Sequence, residues 1–132
     1  MALLVPNVGE ERCLRAILNH TSPQDLILKL YVSNTTPAES DVAATYSEAS
    51  GFGYVSKPVA GPSWTVTPGD PTVGTYAQQS WTFTGALGSV YGYFFVQATS
   101  GILMWAERFT DGPYAISNNG DQILLTPRLE LS

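Results

Sequence analysis

A strand hairpin with two apolar faces is the clearest pattern in the chain, over residues 91–109, YGYFFVQATSGILMWAERF. Because side chains alternate between the two faces of a strand, Tyr91, Tyr93 and Phe95 share one side of the first strand. Phe94 and Val96 lie on its other side. In the second strand, one face carries Leu103, Trp105 and Phe109, and the opposite face carries Ile102, Met104 and Ala106. An antiparallel sandwich usually wets one face of each sheet, so the second face of this hairpin requires a cover.

A short helix near the start of the chain is one candidate for that cover. Asn7 is placed to cap it, with Glu10 three residues later in a relaxed capping box. An apolar stripe follows at helical spacing, formed by Val8, Leu14, Ile17 and Leu18, and the element ends over residues 19–23. The second face of the hairpin can be covered by this helix, by a long loop or by a neighbouring subunit, and the pattern leaves all three open.

A period of two predicts strands over much of the remaining chain. The first strand, residues 25–33, turns Leu26, Leu28, Leu30 and Val32 inward, and residues 33–50 form a long connection with room for one helical turn capped by Asp41. Further strands are predicted at 52–57, at 63–67 with Trp64 and Val66 inward, at 75–84 with a bulge near 78–80, at the C-terminus, and at 3–5. Pro127 cannot donate to a ladder, so the C-terminal strand lies at an edge or is bulged there.

These elements predict a mainly β fold. About eight short strands separated by turn residues are typical of a sandwich or jelly roll. We therefore expect an antiparallel β-sandwich, jelly-roll-like, with one short N-terminal helix. The 132 residues are enough for one domain spanning 1–132, with an N-terminal arm and helix in 1–24 and the sandwich in 25–132.

Composition narrows the classes of partner. The net charge is −5, only 13% of residues are charged, and the six basic residues are scattered, so we expect no nucleic-acid partner. No apolar run approaches the roughly 18 residues that span a bilayer, and we expect no membrane partner. The N-terminus lacks the basic and apolar regions of a signal peptide, which indicates synthesis in a cytosol. Cys13 is the one cysteine and excludes an intrachain disulfide.

Candidate catalytic groups are few. His20 is the one histidine, and a triad would need it beside an acid such as Asp25. The acidic and amide residues Asp111, Asn118, Asn119 and Asp121 offer oxygens for Ca²⁺, but turn formation explains them better. Glu39, Asp41 and Glu48 lie in a polar segment and are explained by solvation. We expect no enzyme activity, cofactor or metal.

Aromatic residues suggest a different class of function. Trp64, Trp81 and Trp105 lie in predicted strands, where burial in a core or interface is their usual role. Tyr46, Tyr54 and Tyr114 lie beside loops and are better placed for exposed contacts with sugar rings. These residues suggest a carbohydrate-binding β-sandwich module as the alternative function.

The order of these segments resembles small uncharacterised virion structural proteins of tailed bacteriophages. The resemblance is carried by the N-terminal helix, TPAESDVAATYSEASGFGYVSK, the 91–109 hairpin and the ending ISNNGDQILLTPRLELS. It is most similar to head-decoration, or capsid cement, proteins. The same resemblance leaves open a head-to-tail connector, or a host-attachment module associated with a tail or fibre. It implies a non-enzymatic protein on the capsid surface of the virion, made in the host cytoplasm, which binds the major capsid protein or another virion protein and stabilises the lattice.

The same resemblance implies a homodimer or homotrimer. We predict that the interface with a second copy or a partner uses one side of the hairpin and the N-terminal edge. Its residues are Leu3, Leu4, Val5, Tyr91, Tyr93, Phe95, Leu103 and Trp105. If this placement is right, Tyr93→Asp gives a folded monomer.

Overall fold

A computed structural model describes residues 3–132 and contains one α-helix and eleven short strands. They are α1 (Asn7–Ile17), β1 (Leu26–Tyr31), β2 (Lys57–Val59), β3 (Thr65–Thr67), β4 (Thr72–Thr75), β5 (Gln79–Thr82), β6 (Gly88–Val90), β7 (Gly92–Gln97), β8 (Leu103–Arg108), β9 (Tyr114–Ile116), β10 (Gln122–Leu125) and β11 (Arg128–Leu131). Every ladder between them is antiparallel. The mainly β class and the antiparallel sandwich are confirmed, whereas the jelly-roll connectivity stays a prediction.

One layer of the sandwich is a four-stranded sheet in the order β2-β1-β7-β8. The alternation predicted for β1 is confirmed, since Leu28 and Leu30 are fully buried on the side facing the core. The predicted short strand at 3–5 is reduced to a bridge at the free edge of β8. There Leu4 and Ala106 exchange two backbone hydrogen bonds of 2.9 and 3.0 Å.

The opposite layer is built from shorter ladders. Residues 72–82 run antiparallel to residues 122–131, so that β5 pairs with β10 and β4 pairs with β11, while β3 joins β4 and β6 joins β9. Pro127 lies between β10 and β11, where the ladder is interrupted, and its carbonyl accepts from Tyr76 N at 3.1 Å. The bulge predicted near 78–80 is wrong, because the chain instead leaves β4 and begins β5 there.

A large apolar core fills the space between the two layers. The four-stranded sheet contributes Leu28, Leu30, Tyr93, Phe95 and Trp105 among others, and the opposite layer contributes Val90, Trp81, Phe83, Ile116, Ile123 and Leu125. Phe95 and Trp105 stack at 4.3 Å between ring centroids. Val66 was predicted to join this core, but the residue is 66% exposed on β3, an edge strand of the β3-β4-β11 sheet, so that prediction is wrong.

A β-bulge in the hairpin reverses part of the predicted alternation. Phe95 pairs with Trp105, but the next residue, Val96, pairs with Leu103, so Met104 is an extra residue on β8. Leu103 consequently lies on the face opposite Trp105, and their predicted common face is wrong. Tyr91 lies between β6 and β7 and packs with the Leu103 side, so its predicted alignment with Tyr93 is also wrong.

The helix lies at the predicted place but not in the predicted orientation. Pro6 precedes it and Asn7 is its first residue, without a side-chain cap. Gly9 is buried against β8, where a β-carbon would overlap the carbonyl oxygen of Met104. The stripe of Leu14, Ile17 and Leu18 therefore points to solvent, with 57%, 77% and 67% of each residue exposed.

Candidate functional site

The outer face of the hairpin is covered by the chain itself. A second apolar cluster forms there from Tyr31, Tyr46, Phe94, Val96, Leu103 and Ala106. The long connection supplies Tyr46, whose ring stacks on Phe94 at 5.2 Å and lies 4.8 Å from the ring of Tyr31. Val8 of α1 and Ala43 of the same connection pack against this cluster. The cover is thus shared by the first turns of the helix and by residues 33–50. The sequence had left the identity of this cover open.

A buried hydrogen bond holds the connection in place. Asp41 Oδ2 accepts from the Tyr46 hydroxyl at 2.7 Å and from Ala38 N at 2.9 Å. The predicted helical turn is present as a 3₁₀ segment, Ala43–Thr45, but its N-cap is Val42, so the capping role predicted for Asp41 is wrong. Burial and, to a smaller extent, the hydrogen bond to Asp41 raise the pKa of Tyr46 well above its usual range. Asp41 thus anchors the cover.

Most of the predicted interface lies inside the protein. Tyr93, Phe95, Leu103 and Trp105 are 7%, 0%, 1% and 4% exposed, so these four cannot form a contact surface in the folded chain, and that prediction is wrong for them. Tyr91 is half-buried, and the Arg108 guanidinium lies 5.1 Å from its ring centroid.

The N-terminal part of the predicted interface is engaged within the chain. Leu4 pairs with β8, and Leu3 and Val5 are half-buried and pack against the main core. Pairing of this segment with another chain's sheet would have to use its far side, because the side facing β8 is occupied. Of the eight predicted residues, Leu3, Leu4, Val5 and Tyr91 keep some exposure.

An apolar groove opens where the β3-β4-β11 sheet extends past the core. Its register sets Val66 opposite Gly74 and Gly74 opposite Leu129, so a residue without a side chain lies between two aliphatic ones. The groove, of about 270 Å³, is lined by Leu26, Trp64, Val66, Thr72, Gly74, Trp105, Leu129 and Leu131. Val66 and Leu131 are 66% and 72% exposed, although they lie on the face that packs inward elsewhere. We call this feature the apolar groove.

A second depression combines aromatic rings with carboxylates. It has a volume of about 950 Å³ and lies where the end of β8 and the β8–β9 turn meet the C-terminal strands. Tyr93 donates to Glu107 Oε2 at 3.3 Å, and Tyr114 donates to Asp111 Oδ1. The rings of Phe109 and Tyr114 lie 4.6 Å apart, inclined by 36°. We call this feature the acidic cleft. The sequence had indicated four of its residues for separate roles, Leu3 and Tyr93 in an interface, Asp111 as a possible Ca²⁺ ligand and Tyr114 as an exposed contact, but had not placed them together.

The candidate catalytic and metal-binding residues are used structurally. His20 Nδ1 lies 2.9 Å from Arg15 Nη1, whereas Asp25 accepts from Gly61 N at 2.8 Å, so the two are not a pair. Asp121 Oδ2 accepts from two backbone amides, at residues 117 and 118, which lowers the pKa of this carboxyl and confirms the turn interpretation. Within residues 3–132 no three His, Cys, Asp or Glu side chains are grouped to hold a metal ion.

The carboxylates of the long connection are also engaged. Glu48 accepts from the Tyr54 hydroxyl at 2.8 Å and pairs with Lys29 Nζ at 3.2 Å. Asp41 is buried, as described above, and Glu39 is exposed. The prediction of a solvated segment is confirmed for Glu39 and Glu48, which are exposed, and is wrong for the buried Asp41.

No protein family, curated protein or solved structure matches this chain. Over residues 3–132, no helix is both long and apolar enough to cross a membrane. The resemblance to phage virion proteins therefore stays a prediction, and the physical support for a function comes from the surfaces just described.

Proposed function

We propose that this chain is a non-enzymatic virion structural protein, a capsid decoration or cement protein that binds subunits of a phage capsid lattice. The observation that carries the proposal is the apolar groove. Both apolar clusters of the hairpin are already satisfied within the chain, yet Val66 and Leu131 remain exposed beside Trp64. Apolar surface left on a protein with so few charges favours a protein partner over water.

The exposed face of α1 supports the same kind of function. Leu14, Ile17 and Leu18 form a second apolar surface. A lattice protein needs more than one contact surface, because it stabilises a shell by bridging neighbouring subunits. Each occupied site then adds its binding free energy to the assembled state, and repetition makes modest contacts sufficient.

Self-association as a dimer or trimer remains part of the proposal, with a different interface. Since Tyr93 is buried, Tyr93→Asp is now expected to destabilise the fold rather than give a folded monomer. Light scattering over a dilution series measures the native mass directly. Ile17→Asp, on the exposed face of α1, is the better test of a self-interface, and an unchanged dimer or trimer would exclude that face from it.

The alternative, a carbohydrate-binding module, requires exposed aromatic rings in one plane. Trp81, Trp105 and Tyr46 are buried, and the rings of Phe109 and Tyr114 are inclined rather than coplanar. The geometry therefore favours the structural proposal. Glycan binding by the monomer with micromolar affinity would reverse that preference.

Co-sedimentation tests the proposal. Shells of a tailed phage assembled without this protein are mixed with increasing concentrations of the chain and pelleted. We expect saturable binding at a fixed ratio to the major capsid protein, and weaker binding by the double variant Val66→Asp, Leu131→Asp. Glu39→Gln, which changes an exposed side chain elsewhere, is the matched control. A chain that stays in the supernatant at every concentration contradicts the proposal.

A further inference from the structure

The acidic cleft presents aromatic rings and carboxylates to the same space. Tyr93, Glu107, Phe109, Asp111 and Tyr114 all line it. The ring of Phe109 lies 6.1 Å from that of Tyr93 and 4.6 Å from that of Tyr114, so the three rings follow one another along the wall. A cavity of this size with a few convergent polar groups is typical of a binding site.

Two carboxylates of the cleft have no cation of their own. In the described part of the chain, no basic side chain lies within salt-bridge distance of Glu107 or Asp111, and the hydrogen bonds that each accepts from a side chain come from tyrosine hydroxyls. Among the described residues, one guanidinium lines the cleft, that of Arg128, and it is paired with Glu130. Its Nη2 and Nε atoms lie 2.6 Å and 2.7 Å from Glu130 Oε1. The cleft therefore carries uncompensated negative charge.

We propose that the acidic cleft binds a guanidinium or ammonium side chain of a partner protein. A cation over the face of Phe109 or Tyr114 is attracted by the ring quadrupole, and it can donate a charged hydrogen bond to Asp111 beside Tyr114 or to Glu107 beside Tyr93. The tyrosine hydroxyls hold these carboxylates in place, so less side-chain freedom is lost on binding. The protein partner rests on the function proposed above, whereas the cation specificity rests on the cleft alone.

The charge of the cleft separates this ligand from a neutral sugar. A sugar ring stacks best on a flat aromatic platform, and the Phe109 and Tyr114 rings are inclined by 36°. Carboxylates accept hydrogen bonds from either ligand, but they attract only the cation over a distance. Cation binding must therefore weaken as salt is added, and sugar binding must not.

Titration of the isotope-labelled chain, followed by amide NMR shifts, tests the proposal with small probes. The probe is N-acetylarginine amide, and N-acetylcitrulline amide is its uncharged isostere. We expect the arginine probe to shift amides around residues 107–114 and to bind about tenfold more weakly in the double variant Glu107→Gln, Asp111→Asn, as for the loss of a charged hydrogen bond. Glu39→Gln, with the side chain exposed outside the cleft, should leave binding unchanged.

Two results would overturn this assignment. Equal binding of the citrulline and arginine probes would show that charge is not recognised. N-acetylglucosamine binding at the same amides, unaffected by salt and by Glu107→Gln, would make the cleft a sugar site. Because no shells are used, failure here leaves the lattice proposal standing, and failure of co-sedimentation leaves the cation site standing.

Discussion

Tyr46 tests whether the outer face of the hairpin is closed within the chain. Its side chain is 5% exposed, stacks on Phe94, and donates to Asp41 at 2.7 Å. Truncating a buried aromatic residue costs about 3–5 kcal/mol. Tyr46→Ala also leaves the Asp41 carboxylate without its hydroxyl partner. The free energy of unfolding of a domain is usually roughly 5–15 kcal/mol, so Tyr46→Ala should remove a large share of it.

Tyr46→Phe separates the hydrogen bond from the packing. It keeps the ring against Phe94 and removes only the hydroxyl that Asp41 accepts, so we expect a loss of about 1–3 kcal/mol. Urea unfolding followed by tryptophan fluorescence measures both variants. With a urea dependence of about 2 kcal/mol per molar, the midpoint should fall by roughly 2 M for Tyr46→Ala and by about half a molar or more for Tyr46→Phe.

The control for this pair is Phe52→Leu, at a residue that is 48% exposed and outside both apolar clusters. A loss below about 1 kcal/mol for Tyr46→Ala would refute the reasoning, because exposed positions give changes of that size. It would mean that residues 33–50 do not cover the hairpin, and that α1 or a neighbouring subunit does so.

Two further predictions concern the helix contact and the tyrosines. Gly9→Ala should destabilise the protein by about 1–3 kcal/mol in urea unfolding, because the added carbon meets backbone of β8 and outweighs alanine's helix preference of about 1 kcal/mol. Gly74→Ala, whose added carbon lies 3.8 Å from its nearest neighbours, should be near neutral, and equal losses in both variants would contradict the close contact at Gly9. Burial raises the pKa of Tyr31 to about 12, and it raises the pKa values of Tyr54 and Tyr93 as well. Above pH about 10 the unfolded chain therefore binds fewer protons than the folded one, so the urea midpoint should hold to pH 9 and fall beyond pH 10, whereas a constant midpoint to pH 11.5 would contradict the burial of these hydroxyls.

The sequence predicted the elements that depend on local pattern. The alternation of β1 and the presence of an N-terminal helix are both confirmed. The C-terminal strand was predicted to lie at an edge or to be bulged at Pro127; β11 does lie at the edge of its sheet, and the ladder is interrupted between β10 and β11, where Pro127 has no N–H to donate. These features follow from properties of one segment of chain.

Features that depend on two segments were missed. The bulge at Met104 arises from pairing with β7, so a single-strand period could not show that Leu103 and Trp105 separate. The orientation of α1 was predicted from its largest apolar residues, but Gly9 decides it, since only a residue without a side chain allows the helix backbone so near β8. A glycine in the first helical turn was the available signal.

The candidate site was missed for the same reason. The apolar groove depends on Gly74 lying between Val66 and Leu129 across three strands, a register that no single strand reveals. The acidic cleft joins β7, the end of β8 and the C-terminal strands. The sequence placed the interface on the aromatic residues of the hairpin, but these residues divide between two buried clusters.

The orientation of the chain on a capsid shell tests the central proposal most directly. Cryo-electron microscopy of shells saturated with the protein would resolve which surface meets the lattice. We predict that Val66 and Leu131 of the apolar groove contact a capsid subunit, with the 91–109 hairpin enclosed in its own chain. A groove open to solvent on decorated shells, or shells that carry no density for the chain at saturating concentration, would contradict the account.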